Sequence, residues 1–171
     1  MERFWNIVYY FAYRADIKLT WYFYKYTGAF LLLNLSFMRK RYEKGGIKDP
    51  VAHLMEAHKR PDIGISQIFA GGLVGGLPFI LLFGLHILFF MFFNEKKLPS
   101  FELFIYPLGL YGVISYLISY ILLWHKDKYL KYFKEFSRKP RKWKVKWAWI
   151  SLGVILFPFV VLILSFVVMA I

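Results

Sequence analysis

The sequence predicts an all-α, polytopic membrane protein, with three transmembrane helices and an N-terminal aromatic helix that either spans the bilayer or lies in its interface. Three observations carry this expectation. Hydrophobic residues make up 59% of the 171 positions and aromatic residues 22%, well above soluble domains. The excess is gathered into long runs, and about 18 consecutive apolar residues suffice to mark a bilayer crossing. The net charge is +13, and the basic residues crowd between those runs.

The first 38 residues allow two readings. Leu19 to Met38 is long enough to span and is followed by Arg39, Lys40 and Arg41, which describes a fourth span with an external N-terminus. On a helical wheel, however, Arg3, Arg14, Lys18 and Lys25 fall within about 60° of one another. One basic stripe on an aromatic helix describes a helix lying in the interface. Lysine snorkelling reconciles the stripe with a span, and spanning is the preferred reading. Charged residues recur so early that a cleavable signal peptide is not expected.

Residues 39–62 form a basic segment. Gly45-Gly46 marks a turn. Asp49 followed by Pro50 is an N-cap with proline at the first helical position, so a short helix should run from there to about Lys59. Asp62, after Pro61, is the expected N-cap of the next helix. That helix, Ile65 to Phe93, is the clearest span. It has no charged residue, exceeds the roughly 20 residues needed to cross, and has Pro78 as its expected kink. After a short turn, Asn94 to Ser100, the second span covers 103–124. The last span covers 147–171. Tyr106, Trp124, Trp147 and Trp149 sit near span ends, where amphipathic rings prefer to lie. The whole chain reads as one membrane domain.

Charge orients these spans. Residues 39–62 hold seven Lys/Arg and residues 125–146 hold ten, whereas the short turn holds only Lys96 and Lys97. The two basic segments are therefore expected in the cytoplasm and the turn outside, in a bacterial plasma membrane. Within 125–146, Tyr129, Tyr132, Phe133 and Phe136 follow helical spacing with lysines between them. This describes a basic amphipathic helix against the inner leaflet, with Lys126, Lys128, Lys131, Lys134, Arg138, Lys139, Arg141 and Lys142 facing lipid headgroups. Anionic lipid is thus the expected partner of the positive charge, and nucleic acid is not expected.

Two further groups of residues stand out in the spans. Gly71/Gly75 and Gly72/Gly76 form overlapping small-residue pairs, and the neighbouring span offers Gly109, Gly112, Ser115 and Ser119. Such residues let helix backbones approach closely, within a hairpin or at a partner or homo-oligomer interface. His86 is the one ionisable side chain deep in the clear spans. Folding the hairpin about its turn places it at the depth of Tyr111, so a hydrogen bond between them is expected.

Catalytic signals are thin. His53, Glu56 and His58 are ligand types, but their order fits neither helical zinc motif, and a solvated surface is the expected reading. Cysteine is absent, which removes thiolate chemistry. No phosphate-binding glycine loop or nucleophile motif occurs, and no cofactor is expected. The leading expectation is a protein that acts by binding, as an accessory subunit of a membrane complex or a small protective protein. An oligomeric channel or transporter subunit, and an enzyme acting on lipid phosphate, are the rivals.

Overall fold

The computed structural model describes residues 1–93 and 101–170. Their elements are α1 (Glu2–Tyr26), α2 (Ala29–Leu33), α3 (Ser36–Lys44), α4 (Pro50–Lys59), α5 (Ile65–Phe93), α6 (Phe101–Ser119), α7 (Lys128–Ser137) and α8 (Arg141–Ala170). The fold is all-α, as the sequence predicts. Among the described residues, three stretches are long and apolar enough to cross a membrane: Ile65–Phe93, Ile105–Ser137 and Arg141–Ala170. The predicted turn Asn94 to Ser100 lies outside the described residues.

The first span begins and ends where the hydropathy pattern places it. The last helix begins six residues ahead of the predicted span, because nothing in Arg141–Lys146 breaks a helix. Its first turns are basic, and apolar patterning marks the lipid crossing rather than the helix itself.

The expectation of a fourth span over Leu19–Met38 is corrected. The chain leaves α1 at Tyr26 and turns at Gly28, whose φ of +76° suits a residue without Cβ. It breaks again at Asn34 and Leu35 before α3. No continuous helix of about 20 residues remains there to satisfy the backbone in lipid. Asp62 as N-cap is also corrected. Gly64 directly precedes α5, and a Cβ there would lie 2.1 Å from the Arg60 carbonyl oxygen. Asp62 instead pairs with Arg60 at 3.0 Å, and that guanidinium holds its carboxyl below the usual range.

The chain divides into two compact units, Met1–Phe11 with Gly72–Ile171, and Ala12–Gly71. In the first unit the start of α1 packs on α7. Asn6, Ile7, Val8, Tyr9 and Tyr10 are buried, as are Tyr129, Phe133 and Phe136. Tyr9 sits 5.6 Å from Tyr129 and 5.2 Å from Phe133 between ring centres, and Tyr10 sits 5.8 Å from Phe136. The apolar face of α7 is therefore filled by protein. The expectation that these rings lie on the inner leaflet is corrected, since α1 supplies a better-packed apolar partner.

Between α6 and α7 the helix widens into a π turn, Tyr120–Trp124, and kinks through His125–Asp127. Lys126 and Asp127 both adopt left-handed φ, 57° and 50°. Such a junction releases backbone carbonyls from the helical ladder. The fully buried Asn6 amide donates to the Leu122 carbonyl at 2.9 Å and to the Glu2 carbonyl at 2.9 Å. Lys128 Nζ reaches the Ile121 carbonyl at 3.3 Å.

In the second unit, Asp49 caps α4 by accepting from the Ala52 N–H at 2.9 Å, with Pro50 at the first helical position. The helix ends at Lys59, as predicted, because Arg60 turns extended ahead of Pro61. The Tyr13 hydroxyl donates to the Lys59 carbonyl, which ties this end of α4 to α1.

Candidate functional site

Helix α7 alternates rings and cations, so docking the rings on α1 turns the cations outward. Lys131, Lys134, Arg138 and Lys139 surround an open notch of about 370 Å³, together with Glu135. Glu135 is already engaged, by Arg3 at 2.7 Å and Lys139 at 3.4 Å. The notch is thus lined by four cations and a carboxylate whose charge is taken up at its edge. Arg141 and Lys142 continue the exposed basic surface into α8, and Lys126 is exposed at the kink.

Electrostatics fix the helix as well as packing does. Glu2, in the first turn of α1, accepts from Lys128 Nζ at 2.8 Å and from the Tyr132 hydroxyl at 3.0 Å. The Lys128 ammonium, followed by the Tyr132 hydroxyl, holds the Glu2 carboxyl below its ordinary value. Lys128, grouped by sequence with the headgroup cations, is therefore spent partly inside the protein. The cations left facing outward are those of the notch and its continuation into α8.

Within the membrane helices, polar groups meet in pairs. The Tyr111 hydroxyl lies 3.0 Å from His86 Nδ1, the contact predicted from hairpin depth. The His86 Nε2 atom is buried and makes no hydrogen bond among the described residues. Near Pro78, the Ser115 hydroxyl donates to the Gly75 carbonyl at 2.6 Å and accepts from the Phe79 N–H at 3.2 Å. Ser119 also reaches the Gly75 carbonyl, at 3.3 Å.

The small residues do not act alike. A Cβ at Gly75 would meet the Trp124 ring at 3.3 Å and the Ser119 hydroxyl at 3.5 Å. At Gly72, Gly76, Gly109 and Gly112 a Cβ meets nothing within 4 Å. Gly71 is buried. A close backbone approach between membrane helices falls at Gly84, which sequence reasoning missed. A Cβ there would stand 3.1 Å from the Leu162 N and 3.2 Å from its Cα, so α5 and α8 touch backbone to backbone. An isolated glycine in an apolar run carries no spacing signal, which explains the miss.

The ligand types of α4 separate. His53 and Glu56 are exposed, whereas His58 is 5% exposed, so the expectation of a solvated surface is corrected for His58. Its Nδ1 lies 3.3 Å from the Ser66 hydroxyl and its Nε2 3.4 Å from the Tyr24 hydroxyl. Among the described residues no three His, Cys, Asp or Glu side chains come together as a metal site. No protein-family model, curated protein or solved structure matches the chain.

Proposed function

We propose that this chain is a membrane-embedded binding protein of the plasma membrane, which presents α7 and the start of α8 as a fixed cationic platform to phosphate-bearing lipid headgroups on the cytoplasmic side. One observation carries the reading. The rings of α7 are used up against α1, and its cations are thereby held outward around the Lys131, Lys134, Arg138 and Lys139 notch, where Lys139 also pairs with Glu135. A pre-set group of cations meets a headgroup phosphate without the entropic cost of ordering a loose loop. Positive charge concentrated in residues 39–62 and 125–146 supports the cytoplasmic placement.

Such a protein serves as an accessory or protective component of a membrane assembly. The open Gly72 and Gly76 positions of α5 favour contact with one further helix, from a protein partner or a second copy. The test is lipid enrichment. The full chain is assembled into nanodiscs from equal phosphatidylglycerol and phosphatidylcholine, and the lipid retained after delipidation is counted. Wild type should retain phosphatidylglycerol preferentially, and the Lys131→Gln/Lys134→Gln/Arg138→Gln variant should lose the preference. Equal retention of both lipids by wild type would reject the proposal.

A further inference from the structure

We propose that a cavity in the second unit, walled by the later turns of α1, by α4 and by the start of α5, binds an organic ammonium group of the kind carried by ethanolamine or choline. The cavity measures about 600 Å³ and opens to the outside. That volume falls in the range of small-molecule sites, roughly 300 to 1,000 Å³.

Among the described residues, its lining includes a buried acceptor without a partner. Asp16 contributes a carboxylate whose Oδ2 is buried and accepts no hydrogen bond among the described residues. An ionised carboxylate can only accept, and a buried acceptor without a donor is costly. Thr20, one helical turn further along α1, adds a hydroxyl on the same face. The other ionisable wall, His58, has a hydroxyl beside each ring nitrogen, from Ser66 and Tyr24. The orphan oxygen of Asp16 is therefore the polar group that asks for an incoming donor.

The remaining walls are Leu19 and the aromatic residues Tyr22, Phe23, Tyr24, Tyr26 and Phe69. Tyr24 is held in place by its hydroxyl against His58 and by an edge contact with that ring at 5.8 Å. Ring faces carry negative potential, and together with a carboxylate they suit an ammonium ion. The same helix already does this once, since Lys25 Nζ stands 5.0 Å over the Trp21 ring. A bare divalent metal fits poorly, because it needs several oxygen ligands and the wall offers one carboxylate among rings. An anion is repelled by Asp16.

The ammonium could arrive as a zwitterionic lipid headgroup or as a free amine, and both share the recognition chemistry. The test is calorimetric titration of the full chain in detergent with tetramethylammonium chloride and with ethanolamine hydrochloride. Sodium chloride at equal ionic strength is the reference. Wild type should give saturable binding to the ammonium probes alone. Asp16→Asn should weaken it at least about tenfold, as loss of a charge-assisted contact does. Phe69→Ala, which leaves the carboxylate untouched, should weaken it several-fold, while His53→Gln, exposed on α4 and outside the cavity, should bind normally. Repeating the titration in nanodiscs assigns the source. Competition by phosphatidylethanolamine marks a lipid headgroup, and undiminished binding marks a free amine. Absent saturation in wild type, or equal binding by wild type, Asp16→Asn and Phe69→Ala, would overturn the proposal.

Discussion

The Ser115 hydroxyl donates to the Gly75 carbonyl at 2.6 Å while accepting from the Phe79 N–H at 3.2 Å. In an uninterrupted helix those two backbone groups pair with each other. Pro78 stands between them and disturbs the ladder, and one hydroxyl from α6 bridges the gap. Lipid offers no water to do so. Ser115→Ala should therefore destabilise the bundle by about 1 to 2 kcal/mol, the cost of a buried polar group left unpaired. Ser165→Ala should be close to neutral, because among the described residues that hydroxyl bonds only to the Leu162 carbonyl of its own helix. Equilibrium unfolding in bicelles compares the two.

Glycine substitutions should sort by space rather than by motif. Gly84→Leu forces α5 away from the Leu162 backbone, and Gly75→Leu drives into Trp124 and Ser119. Both should cost several kcal/mol, at or above the roughly 1 to 3 kcal/mol typical of overpacking. Gly72→Leu should leave the melting temperature of the monomer unchanged. Thermal unfolding of the three variants in detergent checks the order.

His86 and Tyr111 share one hydrogen bond of 3.0 Å. Interhelical bonds in membranes average about 0.6 kcal/mol, so His86→Leu and Tyr111→Phe should each cost about that much. The double variant should cost less than the sum, because the second change removes a bond already lost. A double-mutant cycle with fully additive penalties would show that the pair does not interact.

Acid should loosen the seat of α7. The Glu2 carboxyl titrates below its ordinary value of 4.5, first through Lys128 and then through Tyr132. A depressed carboxyl contributes stability that is complete above its unfolded value and is lost as pH falls through its folded value. Wild type should thus lose stability below about pH 4.5, while Glu2→Gln should show a flatter profile. Unfolding at stepped pH, with Asp49→Asn as a control for acid effects elsewhere, separates the two.

Much of the membrane core was legible because hydropathy and helix length express one requirement, a satisfied backbone across lipid. The α5 boundaries, the Asp49-Pro50 start of α4 and the His86–Tyr111 contact all follow from local chemistry or simple depth counting. The fate of an apolar face does not. Tyr129, Phe133 and Phe136 have the spacing of a membrane-lying helix, and whether lipid or Tyr9 and Tyr10 cover them depends on tertiary packing. The same holds for His58, whose burial needs Ser66 on the following helix and Tyr24 on α1, brought together only by the tertiary fold. Asn6 carried no signal at all, because its partner is a carbonyl freed by a π turn more than a hundred residues away.

The central claim is that α1 holds α7 as a platform, so that placement of the cations, beyond their number, selects anionic headgroups. Tyr9→Ala tests it most directly, since it removes a buried ring against Tyr129 and Phe133 and leaves every charge in place. The readout is phosphatidylglycerol retained in mixed nanodiscs by wild type and variant, with both confirmed as folded by helical content. Tyr9→Ala should lose most of the phosphatidylglycerol preference, because a large buried aromatic contributes about 3 to 5 kcal/mol to its packing. Undiminished preference in folded Tyr9→Ala would contradict it, and would leave net charge alone as the cause of lipid binding.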